Sequence, residues 1–473
     1  MDILTKVKKT INKYSMLSDG DCVLIGLSGG PDSVCLAVIL DKLRKDFNLS
    51  FYAVYIDHGL RPNEIRAERD FCENLSAKLG MHFISKSIDV IKYAEDNKLN
   101  KQEAARNLRY EVFKEVSKEL KATKIALGHN ADDQAETFFM RLVRGGGTKG
   151  LSGIPPTRDL GVRKSILIIR PLIEIERNDI EKFLSQNSSL VTRHSSLPFM
   201  VDSSNLKKDY FRNWLRITVI PELKKRNPSL TQNICRTMDI LREENDYLEL
   251  IVTKTLMRLI SRKSEDTVEL FIAPLVTMER PLLRRVIRRV VSETEGLRGI
   301  DFIHIEDMIA LIKTGKPGNS IYLPRGVRVI KEYALFVITS ELPVKIAGYE
   351  LNPPGEINIK EANVLIKAVF EEDNRDLGDG RSSVLLDAGK MNVPLIIRPR
   401  NYGDFFFPLG FGKKKKLQDF FVDEKVPRNK RDSIPIIVSG NDIVWVAGYR
   451  ADERFKVTEK TEKLLRLIIS RLK

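Results

Sequence analysis

The chain has 473 residues and a mass of 54.0 kDa, which predicts about three domains rather than one core. Hydrophobic residues make up 42% and charged residues 30%, a balance that excludes a disordered or collagen-like chain. Lysine and arginine number 79 against 64 aspartates and glutamates, and this net charge of +15 favours polyanionic partners such as nucleic acid.

The cysteines and the apolar runs predict a cytoplasmic protein without a membrane partner. No two of the four cysteines have C-x-x-C spacing, which excludes zinc-ribbon and redox motifs, and four are too few for a disulfide framework in this length. No apolar run approaches the roughly 18 residues that cross a bilayer. The N-terminal residues lack the apolar segment of a signal peptide.

The first 145 residues alternate between strand and helix patterns. Strands are predicted at 23–27, 51–56, 82–88 and 124–128. Helices are predicted at 34–45, 64–79, 101–120 and 131–144. This alternation is typical of an α/β domain with a parallel, Rossmann-like sheet, whose ligands bind at the carboxyl ends of the strands.

The remainder of the chain changes character twice. Residues 221–311 are mainly helical, and 321–338 and 364–393 are rich in strand patterns. Residues 391–473 hold 18 basic and 10 acidic residues and combine short strands with a basic final helix. We therefore predict an α/β domain at 1–217, a helical and then β-containing middle region at 218–390, and a small α+β domain at 391–473.

A glycine-rich loop lies between the first strand and the first helix of this α/β pattern. Its sequence is SGGPDS, formed by Ser28, Gly29, Gly30, Pro31, Asp32 and Ser33. Glycines allow a tight turn, and a helix N-terminus favours phosphate. Asp32 facing a triphosphate makes sense as a Mg²⁺ ligand. The alternative is an ordinary βα turn in which Asp32 and Ser33 only cap the helix.

This loop matches neither of the commonest nucleotide-binding motifs. The chain lacks a Walker A sequence, and the loop is not G-x-G-x-x-G, which disfavours a dinucleotide oxidoreductase. A loop without the Walker lysine suits a protein that holds the pyrophosphate end of ATP while chemistry occurs at the α-phosphate.

Three carboxylates stand at the start of the helix predicted at 131–144. Asp133 and Glu136 are three residues apart and Asp132 and Glu136 four apart, so each pair can share a helix face. An ammonium group would relieve their repulsion, and Asp132 could join Asp32 at a metal. The alternative is that the carboxylates only complement the helix dipole.

Several basic residues and a histidine are candidates for contact with an anionic ligand. Arg106 and Arg109 share a face of the helix at 101–120 and suit a phosphate or a leaving pyrophosphate, unless they pair with Glu103 or Glu111. His58 follows a strand at the edge where ligands bind, although a lone histidine is also compatible with a structural role.

Two further groups of basic residues fit RNA. Arg284, Arg285, Arg288 and Arg289 form like-charged pairs that phosphates could offset. Lys413, Lys414, Lys415 and Lys416 stand among phenylalanines, which suits contact with RNA backbone and bases. The alternative for these lysines is a solvated run above core phenylalanines.

Seven ordered motifs and a C-terminal one resemble the tRNA(Ile)-lysidine synthetase family, a member of the PP-loop ATP pyrophosphatases. The motifs are SGGPDS, DHGLR, AARNLRY, GHNADDQAET, RGGGTKGLSG, RPLIEIERNDI, DSSN…YFRNWLR and, near the C-terminus, IRPRNYGDFFFPLG. Family members usually carry a tryptophan and an acidic residue where this chain has Phe199 and Val201.

The resemblance implies an ATP-dependent ligase that joins L-lysine to the wobble cytidine of a tRNA(Ile) with a CAU anticodon. The cytidine would first be adenylated and lysine would then replace AMP, which changes codon specificity from AUG to AUA. By the same resemblance, Asp133 and Glu136 would hold lysine, and His129 would lie by the nucleotide. Arg106 and Arg109 would be active-site residues, and Arg212 and Arg216 would face the nucleotide or the tRNA. The expected cofactors are ATP and Mg²⁺; a homodimer is an expectation that no residue pattern decides.

Three other functions compete with this interpretation. A PP-loop tRNA thiolase generally needs paired cysteines or a cluster, and the chain has no C-x-x-C. A small-molecule ligase is disfavoured by the basic C-terminal region and by the lack of an N-terminal nucleophilic cysteine. A non-catalytic tRNA-binding protein is disfavoured by the intact Asp32, Asp133 and Glu136.

Overall fold

The computed structural model describes residues 2–59, 62–160, 166–187, 199–200, 211–294, 299–342, 344–372, 376–426 and 428–472. The chain forms two compact units, Met1–Tyr247 and Leu248–Lys473. Within the described ranges no helix has the length and apolar character needed to cross a membrane.

The first unit is built on a six-stranded sheet. Its strands are β1 (Cys22–Gly26), β2 (Ser50–Asp57), β3 (His82–Ser87), β4 (Lys124–Ala126), β5 (Thr157–Asp159) and β6 (Leu167–Ile169). The order is β3-β2-β1-β4-β6-β5, and all neighbours are parallel except the antiparallel pair β5–β6. This sheet confirms the predicted parallel α/β fold.

Helices connect and cover these strands. They are α1 (Ile3–Lys13), α2 (Pro31–Lys42), α3 (Pro62–Lys78), α4 (Val90–Asp96), α5 (Lys101–Glu119), α6 (Ala131–Val143), α7 (Thr148–Leu151), α8 (Arg177–Gln186), α9 (Phe211–Trp214), α10 (Ile220–Arg226) and α11 (Leu230–Leu259). A π-helix, Leu215–Val219, joins α9 to α10. Helix α11 begins in the first unit and ends in the second.

Both faces of the sheet are buried, because side chains of a strand alternate between its faces. In β1, Val23 and Ile25 belong to the core cluster that includes α2, whereas Leu24 belongs to the cluster that includes Val112 and Phe113 of α5. The doubly covered sheet leaves its carboxyl edge as the place where loops can bind ligands.

The second unit contains antiparallel sheets and short helices. Its helices are α12 (Ile272–Thr277), α13 (Arg280–Thr294), α14 (Phe302–Thr314) and α15 (Leu417–Asp423). One sheet has the order β7 (Ile260–Lys263), β8 (Thr267–Phe271), β11 (Leu335–Thr339), β10 (Arg328–Lys331) and β9 (Ser320–Tyr322).

Two further sheets, of five and four strands, and one hairpin complete this unit. The first has the order β12 (Tyr349–Leu351), β16 (Leu395–Arg398), β19 (Ile436–Ser439), β20 (Asp442–Val446) and β21 (Arg450–Ala451). The second has the order β13 (Gly355–Ile359), β14 (Val364–Glu371), β22 (Leu464–Arg471) and β15 (Ser383–Asp387). The hairpin pairs β17 (Phe405–Phe406) with β18 (Lys415–Lys416).

The predicted basic final helix is wrong. Residues 464–471 form β22, which pairs with β14 on one side and with β15 on the other. A central strand needs partners on both sides, and these lie between 77 residues (Asp387 paired with Leu464) and 107 residues (Val364 paired with Arg471) earlier in the chain. Ladder hydrogen bonds and burial of Leu465 and Leu467 therefore outweigh the local preference.

Candidate active site

The SGGPDS loop joins β1 to α2 and presents the open N-terminus of that helix. Gly29 has a φ of +80°, which glycine adopts without strain, and Gly30 is the N-cap with Pro31 following it. The Ser33 hydroxyl donates to the Gly30 carbonyl over 2.9 Å, and the Ser28 amide donates to the Ser33 hydroxyl over 3.2 Å. The loop is thus preorganised, with a helix N-terminus suited to phosphate.

Asp32 lies in the first turn of α2 and faces other charged groups. The Asn130 side-chain amide donates to Asp32 Oδ1 over 2.8 Å, and Arg177 Nη1 lies 3.8 Å from Asp32 Oδ2. Burial, and then the negative charge of Asp133, raises the pKa of Asp32 to about 6, against the opposing effects of Arg177 and Asn130. A cation beside this carboxylate would be strongly favoured.

The end of β4 approaches the start of α2 so closely that only glycine fits. A Cβ on Gly128 would lie 2.9 Å from the carbonyl carbon of Asp32 and 3.0 Å from the backbone nitrogen of Ser33. This contact brings the β4–α6 connection, with His129 and Asn130, against the phosphate loop.

Helix α6 carries the acidic pair. Asn130 caps the helix by accepting from the Asp133 amide over 2.9 Å, while Asp133 Oδ2 accepts from the Asn130 amide over 3.1 Å. Glu136 lies one turn further and is fully buried. The capping box fixes Asp133 with Oδ1 left for a cationic partner.

Two arginines bind this acidic pair. Arg212 donates through Nε to Glu136 over 2.6 Å and through Nη2 to Asp133 over 2.7 Å. Arg216 donates through Nε to Glu136 over 2.5 Å, and its Nη2 lies 3.4 Å from Asp133 Oδ1. Burial opposes both positive charges, but the carboxylates outweigh it and raise the pKa of Arg212 and of Arg216.

Asp132 has different partners from its neighbours. Its Oδ2 accepts from the Arg177 amide over 2.8 Å, and its Oδ1 accepts from the Lys224 ammonium over 2.8 Å. Lys224 also donates to Glu176 over 3.3 Å. This carboxylate therefore ties α6 to α8 and α10.

His129 is a neutral hydrogen-bond acceptor. Arg170 Nε donates to His129 Nδ1 over 3.2 Å, and Arg170 Nη1 donates to the Pro155 carbonyl over 2.7 Å. Burial, followed by the positive charge of Arg170 and nearby arginines, lowers the pKa of His129 to about 3. Its remaining ring nitrogen, Nε2, then carries the proton and can donate to a ligand.

Further guanidinium groups gather around Tyr110 on α5. The guanidinium carbons of Arg106 and Arg158 lie 5.8 and 4.8 Å from the centre of its ring. Arg106 and Arg109 are exposed, and neither forms an ion pair with a carboxylate in the part of the chain that the structure describes. They are available to an anion, whereas the predicted alternative, pairing with Glu103 or Glu111, is not seen.

His58 directly follows β2, the neighbour of β1, and so stands at the carboxyl edge of the sheet. Its preceding residue Asp57 accepts from the Gly59 amide over 2.8 Å. Phe199 packs against the core around α2, and the Met200 amide donates to the Gly29 carbonyl over 3.0 Å. Val201, residues 202–205 and most of the polar stretch at 186–197 lie outside the described residues.

Comparisons with known proteins agree with this architecture. A PP-loop domain family matches residues 2–223, and the TilS substrate C-terminal domain family matches residues 395–469. The tRNA(Ile)-lysidine synthase of Clostridioides difficile (strain 630) is 35% identical and aligns with 99% of this chain and 100% of its own length. That of Clostridium acetobutylicum is 34% identical with the same coverage. The chain belongs to the tRNA(Ile)-lysidine synthase family.

Membership confirms the predicted class of enzyme, an ATP-dependent ligase for tRNA(Ile)-lysidine synthesis with tRNA(Ile), lysine and ATP as substrates. A solved U34-tRNA thiolase of Methanococcus maripaludis aligns with 51% of this chain and 77% of its own, with 25% identity and a TM-score of 0.40. The thiolase alternative gains no support from an alignment this weak.

The basic residues of the second unit that were predicted to bind RNA differ in whether a carboxylate already pairs with them. Arg284 and Arg280 both bind Glu306, and Arg285 and Arg289 both bind Glu249. Glutamates therefore offset the like-charged pairs of α13. Arg288 is exposed and forms no ion pair within the described ranges.

The lysine run of the synthase lies in the β17–β18 hairpin. Lys413, Lys414 and Lys416 are exposed, whereas Lys415 is partly buried and bound to Asp423. Lys414 Nζ lies 3.4 Å from the ring centre of Phe405. Phe406 and Phe420 are core residues, but Phe405 and Phe411 are exposed aromatic surfaces beside the lysines, and Tyr402 is also exposed.

Sequence reasoning missed four residues that organise the site of this synthase. They are Asn130, Arg170, Arg177 and Lys224. The first three stand inside motifs that carried the family resemblance, so the motifs were a usable signal. Lys224 follows the seventh motif, which ends at Arg216, and lies in no motif that could have indicated it.

Proposed function

We propose that this synthase ligates the ε-amine of L-lysine to the wobble cytidine of a tRNA(Ile) with a CAU anticodon, in two steps in the cytoplasm. The cytosine carbonyl oxygen attacks the α-phosphate of ATP and releases pyrophosphate. The lysine amine then attacks the activated carbon and AMP leaves, so the codon read changes from AUG to AUA. The observation that carries the proposal is an acidic pair, Asp133 and Glu136, beside a PP-loop.

ATP is assigned to the loop formed by Ser28, Gly29, Gly30, Pro31, Asp32 and Ser33. Support comes from the open N-terminus of α2 and from the two serine hydroxyls at its mouth. His58 and His129 would border the nucleotide, since both stand at the carboxyl edge, and the proton on His129 Nε2 makes that nitrogen a donor.

Asp32 fits a Mg²⁺ ligand, because burial, and then the negative charge of Asp133, raises the pKa of its carboxyl group, and a bound cation would stabilise the ionised carboxylate. Mg²⁺ would neutralise charge on the phosphates there. Asp132 fits less well, since the Arg177 amide and Lys224 already bind its two oxygens, and its role as a second ligand stays a prediction. Among described residues, no three histidine, cysteine, aspartate or glutamate side chains are grouped to hold a metal.

Lysine is assigned to Asp133 and Glu136, which together offer two negative charges in a buried place. Arg106 and Arg109 would stabilise the charge that develops on the leaving pyrophosphate, since they are exposed and free of described carboxylates. Arg212 and Arg216 would meet the nucleotide or tRNA once they leave the acidic pair.

Binding of tRNA is assigned to the middle region, 218–390, and to the basic domain, 391–473, beyond the catalytic domain at 1–217. Support comes from exposed Arg288, from Lys413, Lys414 and Lys416, and from the aromatic surfaces of the hairpin. Arg284 and Lys415 would contribute only by exchanging their present carboxylate partners. A homodimer is a further proposal, tested by light scattering of the full chain.

The deciding experiment supplies purified protein with ATP, radiolabelled lysine and tRNA carrying a CAU anticodon. Lysine fixed to RNA with release of AMP supports the proposal, and no turnover or sulfur transfer contradicts it. Asp32→Ala should abolish AMP release while filter-retained tRNA stays unchanged. Loss of tRNA binding as well would assign Asp32 to folding instead.

A further inference from the structure

The acidic pair proposed to hold lysine is already occupied by the chain itself. Glu136 accepts three hydrogen bonds from arginine, over 2.6 Å from Arg212 Nε, 2.5 Å from Arg216 Nε and 3.2 Å from Arg216 Nη2. Asp133 Oδ1 accepts from Arg212 Nη2, and Asp133 Oδ2 accepts from the Asn130 amide. Every oxygen of the pair therefore has a donor.

The charges of this cluster balance without a substrate. Two carboxylates face two guanidinium groups, and Glu136 is fully buried. A lysine ammonium added here would be an uncompensated charge in a buried site, which is strongly unfavourable. Lysine can bind only if at least one arginine leaves.

The segment that carries the two arginines is short, irregular and weakly anchored, so it can rearrange. Arg212 lies in the four-residue helix α9, and Arg216 lies in the π-helix Leu215–Val219. Leu215 is the only buried side chain among residues 211–219, all of which the structure describes. Phe211 and Trp214 stack on each other with ring centres 5.7 Å apart and are both exposed. A shift of this segment would expose one buried side chain, Leu215, and the partly buried Val219, which is a small loss of apolar burial. π-Helical turns are also frequent at functional sites.

Resting on the proposed function, we propose that Arg212 and Arg216 are internal occupants of the lysine site that keep it closed until a bound nucleotide draws them away. The acceptor of the released guanidinium groups is the triphosphate in the PP-loop. The acidic pair and the loop are adjacent, because Asn130 donates from its side-chain amide to Asp32 Oδ1 over 2.8 Å and from its backbone amide to Asp133 Oδ2 over 3.1 Å. An exchange of carboxylate for phosphate keeps both arginines paired. Lysine then binds after ATP, which is the order in which the adenylation step and the ligation step use the two substrates.

The test measures lysine affinity of the full-length protein by equilibrium dialysis with radiolabelled lysine, with and without Mg²⁺ and the β,γ-imido analogue of ATP. The analogue should tighten lysine binding to the wild-type protein by about 5- to 150-fold, the usual range for coupling between two sites. This arm needs no variant. Equal lysine affinity with and without the analogue would overturn the proposal.

The variant arm removes the occupants. Arg212→Gln combined with Arg216→Gln should bind lysine more tightly than wild type in the absence of nucleotide, and the analogue should add little. Arg236→Gln is the matched control, because Arg236 is an exposed arginine of α11 outside the site, and it should behave as wild type. A double variant that folds but binds lysine no better than wild type would refute internal occupancy.

A third variant separates this proposal from the one on which it rests. Asp133→Asn should lose lysine binding in the presence of the analogue. If it does so while the arginine variant gains nothing, lysine uses the acidic pair but the arginines do not close it. If Asp133→Asn binds lysine as wild type does, lysine lies elsewhere and both proposals fail.

Discussion

Substitution of Gly128 by alanine should disturb ATP binding through the backbone alone. The new Cβ would lie 2.9 Å from the carbonyl carbon of Asp32, 3.0 Å from its carbonyl oxygen and 3.0 Å from the Ser33 nitrogen. Carbon atoms pack best at about 3.5 Å or more, so the methyl group intrudes by about half an ångström. Because the obstructing atoms are backbone, no side-chain rotation relieves the clash. Either the start of α2 or the end of β4 must move.

The cost has a structural and a functional part. Overpacking of this kind costs about 1–3 kcal/mol of stability. A misplacement of about 1 Å at a reacting group can cost about 100-fold in rate, so a half-ångström shift of Asp32 should lower kcat/KM for ATP by about 10- to 100-fold. The assays are AMP release at varied ATP concentration and urea unfolding followed by circular dichroism.

Gly348→Ala is the matched control for this substitution. It adds the same methyl group where no heavy atom lies within 4 Å, and its stability and kinetics should equal those of the wild type. Wild-type kcat/KM together with an unchanged unfolding midpoint in Gly128→Ala would refute the tight contact. Reduced stability with wild-type kinetics would show that the contact supports the fold but not the geometry at ATP.

Three further perturbations test the charges of the site and of the hairpin. The pKa of Asp32 is about 6 and thus above its unfolded value, so this group favours the fold below about pH 4, and its contribution is lost as pH rises through about 6. If ATP binding needs the ionised carboxylate, the affinity for ATP should rise with pH over the same range. Arg177→Gln removes a nearby positive charge and should shift the midpoint of a plot of ATP Kd against pH to higher pH. An unchanged midpoint would contradict this prediction. Glu136→Gln removes the carboxylate that pairs with two guanidinium groups. The free energy of unfolding should fall by an amount toward the lower end of about 3–5 kcal/mol, since those groups are partly exposed. An unchanged chemical unfolding curve would refute the pairing. Lys413→Glu with Lys414→Glu should weaken tRNA binding and reduce the slope of log affinity against log salt by about 0.7–0.9 per lost phosphate contact, whereas an unchanged slope would make these lysines a solvated surface.

The first unit could be predicted from the sequence because its signals are local. Each strand and helix predicted up to residue 145 exists, and their bounds differ by three residues or fewer. Short apolar runs alternate there with amphipathic helices, and sequential βα units need no distant information to be recognised. Strand β5 at the far edge was not predicted, since it has only three residues.

The second unit was harder because its strands depend on distant partners. The hairpin of β7 and β8 interrupts a region predicted as mainly helical, and β8 pairs with β11 some 70 residues later. The final strand β22 was predicted as a helix for the same reason. The pairing and burial of strands that are distant in sequence override the local preference of each segment for helix or strand.

The residues of the site were predictable, but their partners were not. Motifs identified Asp32, Asp133, Glu136, Arg212 and Arg216, and the structure brings the last four together. The ion pairs between them span 76 to 83 residues, and no spacing rule connects positions so far apart. The family resemblance predicted an acidic pair that holds lysine and arginines that face the nucleotide or the tRNA, whereas the structure shows the carboxylates and the arginines bound to each other.

Arginine pairs four residues apart have a common use in this protein. Arg212 with Arg216 binds Glu136, Arg280 with Arg284 binds Glu306, and Arg285 with Arg289 binds Glu249. In each case one glutamate offsets the repulsion that such a pair imposes on a helix.

The arginine spacing therefore does not by itself indicate an RNA surface. What distinguishes Glu136 is its surroundings. It is fully buried, Arg216 also contacts the neighbouring carboxylate of Asp133, and Asn130 links Asp133 to Asp32 of the phosphate loop. At Glu136 the arginines can therefore exchange a carboxylate partner for a phosphate. Among the residues that the structure describes, no comparable anion-binding loop accompanies Glu249 or Glu306, so the same exchange is not available there. The same local device can thus stabilise the fold in one unit and control access to a substrate site in the other.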